Sequence, residues 1–181
     1  MNLANWITAS RILLAPVCVG MLFWDIQGRD YFAAAIFILA ALTDGLDGYA
    51  ARIRKEVTAF GKSFDPLADK FLIILTIVVL ANLNRVPWPA VWIIVCRELL
   101  ITILRYFAGK KGLSVSASPW GKLKTFSQIV AIAVIMLRMP FSIELLWIAV
   151  VLAIGSGIDY LWRWKGAFSG NTEEEPKKMP L

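Results

Sequence analysis

Residues 31–52 read YFAAAIFILAALTDGLDGYAAR, an apolar run from Tyr31 to Leu42 that passes without a break into Asp44-Gly45-Leu46-Asp47-Gly48-Tyr49-Ala50-Ala51-Arg52. At about six helical turns, the stretch is expected to be one helix whose far end carries the polar groups. Offsets of 3, 4, 7 and 8 from Asp44 select Asp47, Gly48, Ala51 and Arg52 on one face, so two carboxylates, two small residues and a guanidinium share a stripe. A few residues on, Asp65-Pro66-Leu67-Ala68-Asp69 opens another apolar run, and its two carboxylates, four apart, share a face as well. Pro66 is expected in a first helical turn, where its missing N–H is unpaired anyway.

Outward from these segments the chain remains apolar. Of 181 residues, 59% are hydrophobic and 8 are Trp, with a mean hydropathy of +0.67, against roughly 45–50% apolar residues in soluble domains. The surplus needs lipid to face, and the expectation is an all-α, single-domain integral membrane bundle. Apolar runs place spans near Ile7 to Trp24, Tyr31 to Ala51, Phe64 to Leu80, Pro89 to Phe107, Leu123 to Arg138 and Phe141 to Tyr160. Six spans of about 20 residues use about 120 positions and leave no room for a separate soluble catalytic domain.

Net charge is 19 − 13 = +6. Arg29, Arg85 and Arg138 are the only basic residues in the first, third and fifth connections, and the other 16 lie at the termini, in the second and fourth connections, or in the span halves facing them. By the positive-inside rule both termini and those two connections are cytoplasmic. Arg11 interrupts the first apolar stretch and no small-residue cleavage pattern follows before Trp24, so the first span is expected to be retained. The span domain is expected over 1–165. Residues 166–181, with Glu173 to Glu175, Pro176, Lys177 and Lys178, read as a solvated, disordered tail. No internal repeat stands out, nothing points to nucleic acid, and Trp6, Trp24, Trp88, Trp120, Trp162 and Trp164 suit interfacial anchors.

The chain has no histidine, which removes imidazole acid/base chemistry, imidazole metal ligation and Ser-His triads together. Cys18 and Cys96 stand alone in apolar runs and read as small buried hydrophobes. Any metal is therefore held by oxygen. Four acids at membrane depth cost about 2.5–3.5 kcal/mol each at mid-bilayer and need neutralising. Two divalent cations balance Asp44, Asp47, Asp65 and Asp69, and an all-oxygen set suits Mg2+ or Mn2+. Such a pair clamps the attacking and leaving oxygens of a phosphoryl group. Gly48 and Ala51 leave room for a bulky ligand, and Arg52 offers a bidentate fork for phosphate. The competing readings are a solvated or capping role for the acids and close helix packing for Gly48 and Ala51.

The pattern Asp44-x2-Asp47-Gly48-x2-Ala51-Arg52-x8-Gly61-x3-Asp65-x3-Asp69 resembles, position for position, the signature of the CDP-alcohol phosphotransferase family. The resemblance implies a homodimer of six-helix membrane enzymes with two metals in a cytoplasm-facing cavity, moving a phosphoalcohol unit from a CDP-linked donor to an acceptor hydroxyl with release of CMP. It makes the four Asp metal ligands, with Asp69 doubling as general base. It also assigns Asp47, Gly48, Ala51, Arg52, Thr58 and Gly61 to the nucleotide site. Asn5-Trp6-Ile7-Thr8 and Arg11 look like the family's N-terminal segment, which contributes to that site. Asn5, Thr8 and Arg11 recur at steps of three and so share a helix face, although a helix cap with a snorkelling Arg explains them too.

Arg97 and Arg105, eight apart, share one face of the fourth span, with Glu98 beside Arg97. An Arg ten residues into an apolar stretch is a functional candidate. Lys110, Lys111, Lys122 and Lys124 add a cationic cluster on the same side as the acids. Lys122 and Lys124 sit at a helix start, where positive charge opposes the dipole; Lys110 and Lys111 fit ordinary positive-inside lysines. Arg97, Arg105, Lys122 and Lys124 are the candidate acceptor-phosphate ligands. The run from Arg97 through Arg105 to Gly121-Lys122-Leu123-Lys124-Thr125 and Gln128 looks like the phosphatidylglycerophosphate synthase branch of the family. That branch implies CDP-diacylglycerol as donor, sn-glycerol 3-phosphate as acceptor and a bacterial cell membrane as location. The alternatives are another acceptor, such as serine, an inositol phosphate or a phosphatidyl lipid, and a cation-coupled transporter. Gly155, Ser156 and Gly157 permit close packing of the sixth span, within the chain or across a dimer.

Overall fold

The computed structural model describes the backbone of residues 3–54, 59–110 and 119–168, and the side chains of residues 13–43, 70–109 and 119–165. It holds six helices: α1 (Leu3–Phe23), α2 (Arg29–Arg54), α3 (Ala59–Asn82), α4 (Trp88–Lys110), α5 (Pro119–Met136) and α6 (Ser142–Phe168). Among the described residues there is no strand. Each helix covers one of the expected apolar runs, and polar residues extend several of them. α2 continues through the whole acidic stripe to Arg54. α3 begins at Ala59, so Pro66 is its eighth residue and not in its first turn. The position therefore forfeits an intrahelical hydrogen bond, as Pro16 does inside α1. α6 runs to Phe168 and so takes in the first three residues of the expected tail; residues 169–181 lie outside the described ones.

α1 packs on α2 and α3, and α2 on α3 and α5. α3 also packs on α4 and α5, and α6 packs on α4 and α5. Small residues make the close seams: Ala15 and Cys18 of α1 meet a core that includes Ala33, Ala34, Phe37 and Ala40 of α2 and Ile77 and Leu80 of α3. The Cys18 thiol donates to the Ala33 carbonyl at 3.4 Å. Cys96 departs from expectation, since it is exposed on α4.

Every helix turns large apolar side chains outward, among them Leu13, Phe32, Leu39, Phe71, Trp92, Ile103, Phe126 and Val151. Water-soluble domains avoid such continuous apolar exteriors. Trp24 and Trp88 are exposed at one end of the bundle and Trp120 and Trp162 at the other, as interfacial anchors require. Among the described residues one stretch, Ser142–Lys165 of α6, is long and apolar enough to cross a membrane; Leu13–Phe23 and Lys70–Asn82 are apolar but shorter. α4 fails the same test of composition because Arg97, Glu98 and Arg105 interrupt it.

The first, third and fifth connections, expected on one side, do meet at one end. Asp30, in the first turn of α2, lies 2.8 Å from Arg85 Nη1 and accepts a 2.8 Å hydrogen bond from Arg138 Nε. Burial raises the Asp30 carboxyl, but the Arg85 and Arg138 guanidiniums outweigh it and hold the group below its ordinary value. The chain reverses sharply at this end. Gly28 (φ 83°) precedes α2, and Asn84 (φ 58°) and Arg138 (φ 51°) end α3 and α5 in the left-handed region. At both ends the following N–H reaches back five residues, Arg85 to Leu80 at 2.8 Å and Met139 to Val134 at 3.1 Å, which satisfies terminal carbonyls.

Candidate active site

Helical geometry across α2 puts Asp44 and Asp47 on one face, and across α3 does the same for Asp65 and Asp69; the two helices are in contact. The side chains of these four, and of Asn5, Thr8, Arg11, Gly48, Ala51, Arg52, Gly61 and Lys110, lie outside the described residues, as do Thr58 and Lys111 altogether. Description of side chains resumes one residue past Asp69, at Lys70.

Lys70 leads into a charged cluster. Its Nζ lies 3.9 Å from Glu98 Oε2 and donates to Thr102 Oγ1, whose hydroxyl donates at 2.6 Å to the Glu98 carbonyl. Lys124 Nζ donates to Glu98 Oε1, and Arg97 Nη1 donates to the same oxygen at 3.0 Å. One carboxylate thus gathers cations from α3, α4 and α5. Arg97 is anchored again on α6, where Nε donates to the Ala153 carbonyl at 3.2 Å and Nη2 to Ser156 Oγ at 2.8 Å. The small residues of α6 serve this contact within the chain: a Cβ on Gly157 would stand 3.5 Å from Arg97 Cγ, whereas Gly155 faces open space.

The cluster crosses the interior of a helix ring. α3 and α6 each pack on both α4 and α5, while among the described residues α4 and α5, like α3 and α6, make no backbone approach within 8 Å. The Lys124–Glu98 pair spans the α4–α5 diagonal, with Lys70 entering from α3 and Ser156 from α6. Glu98 and Lys124 are 4% and 5% exposed. Arg97 and Lys124 on the one carboxylate of Glu98 leave a surplus positive charge among the described residues, at a buried position where an uncompensated charge is costly.

The structure therefore brings Arg97 and Lys124 together on Glu98. Arg97 and Arg105 do share a face toward α6, but Arg105 meets it further along, its guanidinium 5.8 Å from the Tyr160 ring centroid. Lys122 is exposed while Lys124 is buried, because two helical steps turn a side chain by about 200°. Lys122 and Lys124 are not a pair. Sequence reasoning passed over Lys70 and Thr102. The available signal for Lys70 was its place in the apolar α3 beside Asp69, and for Glu98 its standing as the one acid of α4. Gln128 is 1% exposed, one turn beyond Lys124 on the buried face of α5, and among the described residues neither of its amide atoms has a hydrogen-bond partner.

The CDP-alcohol phosphatidyltransferase family pattern matches residues 1–155. The chain is 34% identical over 191 residues to a CDP-diacylglycerol–glycerol-3-phosphate 3-phosphatidyltransferase of Bacillus subtilis, covering 94% of this chain and 99% of that protein. Proteins of the same name from Haemophilus influenzae, 34% identical over 95% of this chain and 98% of theirs, and Rickettsia felis, 36% identical over 92% and 97%, are similar throughout. A transporter reading is set aside by this kinship. The chain belongs to the CDP-alcohol phosphatidyltransferase family and is a phosphatidyltransferase.

Proposed function

We propose that the chain transfers the phosphatidyl group of CDP-diacylglycerol to sn-glycerol 3-phosphate, giving phosphatidylglycerol phosphate and CMP in bacterial phospholipid biosynthesis. It works as a six-span homodimer in the cell membrane, with both termini and the site on the cytoplasmic side. The relatives' names support donor and acceptor. The apolar exterior and the 16 to 3 division of basic residues support the placement.

The observation that carries the acceptor choice is the excess of positive charge that Arg97 and Lys124 leave around the single buried carboxylate of Glu98 among the described residues, in a cluster that Lys70 extends to within one residue of Asp69. A neutral acceptor such as serine leaves that excess unanswered, whereas a phosphomonoester, about −1.5 to −2 at neutral pH, matches it. Arg97 and Lys124 form the centre of the acceptor-phosphate site. Arg105 and Lys122, both exposed, act at its margin.

The carboxylates fit a pair of divalent cations. Asp44, Asp47, Asp65 and Asp69 come as an i, i+3 and an i, i+4 pair on two touching helices, in a chain whose hard oxygen donors have no histidine among them. When bound, such ions supply charge stabilisation to the diphosphate and the departing CMP oxygen. The rest falls to the chain's own residues. Asn5, Thr8, Gly48, Ala51, Arg52, Thr58 and Gly61 bind and orient the CDP moiety. Asp69 takes the proton from the glycerol hydroxyl as its oxygen forms the new bond to the diacylglycerol-bearing phosphorus, and the bond to the CMP oxygen breaks. Direct transfer to the acceptor fits a chain with no imidazole to activate a nucleophile of its own.

The test is to supply membranes carrying the chain with CDP-diacylglycerol and, in separate reactions, glycerol 3-phosphate, serine or inositol phosphate. Phosphatidylglycerol phosphate from the first alone is expected. Phosphatidylserine in its place would overturn the acceptor and leave the family membership intact.

A further inference from the structure

We propose that Glu98 is a positioning residue for the acceptor: its carboxylate holds the Lys124 and Lys70 ammonium groups inside the α3–α4–α6–α5 ring, ready for a phosphomonoester dianion. The inference rests on the acceptor reading above and adds a residue to it.

The geometry separates Glu98 from Arg97. Arg97 is fixed independently by Ala153 and Ser156 of α6. Lys124 instead reaches across the diagonal of the ring and ends on Glu98 Oε1, and Lys70 approaches Oε2 from the opposite partner helix. A lysine stem has four rotatable bonds, and ordering two of them before the ligand arrives removes that ordering from the cost of binding. Thr102 ties the arrangement to the backbone, accepting from Lys70 while donating to the carbonyl of Glu98 itself.

A purely structural role accounts poorly for the same facts. Buried ion clusters are weak stabilisers, and apolar side chains of equal volume commonly serve as well or better. A cluster that served only packing would also be neutral, whereas here Arg97 and Lys124 together outnumber the one carboxylate they share among the described residues. Gln128 is a second, independent sign of a ligand. Its buried amide, one turn beyond Lys124 on the same face of α5, has no partner for either polar atom among the described residues. A polyhydroxy phosphate beside Lys124 offers that amide hydroxyl groups to bond.

The opposite possibility is that Glu98 competes with the acceptor for Lys124, and the two differ in sign. Glu98→Gln in the purified full-length chain in lipid vesicles is expected to raise the KM for glycerol 3-phosphate by about tenfold to a hundredfold, the worth of one charged hydrogen bond. The KM for CDP-diacylglycerol and kcat should change by less than about threefold, and Glu98→Asp should recover part of the loss. In a Lys124→Met background Glu98→Gln should add less than about twofold, because the two act as one unit. An unchanged or lowered KM for glycerol 3-phosphate, or equal damage to both substrates, would overturn the inference. If Glu98→Gln does not fold, Glu98→Asp carries the test with a severalfold rise in the same constant, and no rise overturns it. Unmodified enzyme that makes no phosphatidylglycerol phosphate overturns the acceptor reading as well; normal turnover with unaltered KM in the variants overturns this inference alone.

Discussion

Lys124 of α5 donates to Glu98 Oε1 of α4, with side chains 6% and 5% exposed, and the pair joins two helices whose backbones, among the described residues, do not approach within 8 Å. A long cation and a long anion thus bridge the middle of a helix ring, where two helices in direct contact would have packed apolar side chains. Arg97 joins Lys124 on the same carboxylate oxygen, and the surplus positive charge among the described residues suits an anion.

Removing one member of this pair should be costlier than removing both. Glu98→Leu leaves the Lys124 ammonium buried without its carboxylate and is expected to destabilise the chain by about 3–5 kcal/mol, whereas Glu98→Leu with Lys124→Met, in which Ala153 and Ser156 still hold Arg97, should regain much of that. Neither variant should use glycerol 3-phosphate efficiently. Thermal unfolding in detergent together with a transfer assay checks both statements.

Arg97 is expected to resist conservative exchange. Its fork spans the Ala153 carbonyl, Ser156 Oγ and Glu98 Oε1, and a lysine ammonium cannot reproduce three directions from one plane. Arg97→Lys should lower Tm by several degrees, in proportion to about 1–3 kcal/mol. Gly157→Ala should be nearly silent, since the added methyl meets Arg97 at ordinary contact distance. Parallel melting curves decide between them.

The helices were legible because apolar runs of 16 or more residues between turn signals have few other solutions. Their ends were not: with the third span expected from Phe64 and Pro66 in a first turn, Lys62 and Ser63 fall before the helix, and yet they belong to α3. The acidic stripe was legible from spacing alone. The Lys124–Glu98 pairing was not, because its partners are 26 residues apart and nothing local distinguishes Lys124 from Lys122. Only the bundle decides which of two neighbouring lysines turns inward.

At the opposite end, Asp30 should make stability depend on pH. Its folded value lies below its ordinary 3.8, so the Asp30 contribution is fully present above that ordinary value and is lost as pH falls through the folded one. Asp30→Asn should lower Tm at neutral pH, with the half-buried Arg85 deprived of its carboxylate, and should flatten the acid side of the profile. Melting curves between pH 3 and 8, a range chosen to bracket about one unit below and several above the carboxylate reference, check the sign.

Asp69→Asn should reduce turnover by roughly 10^2–10^4-fold, the usual worth of a general base, while CDP-diacylglycerol still binds. Single turnover with donor of defined configuration at phosphorus should show inversion, as expected for direct transfer. Net retention would mean a covalent phosphatidyl-enzyme and would remove Asp69 from its assigned step.

The most direct measurement follows the purified chain in vesicles containing CDP-diacylglycerol by phosphorus NMR after addition of glycerol 3-phosphate, with and without a divalent-metal chelator. The account predicts that phosphatidylglycerol phosphate and CMP appear together in equal amounts, that chelator stops both, and that added Mg2+ or Mn2+ restores them. Transfer that continues undiminished under full chelation, or consumption of donor with no phosphatidylglycerol phosphate formed, would contradict it.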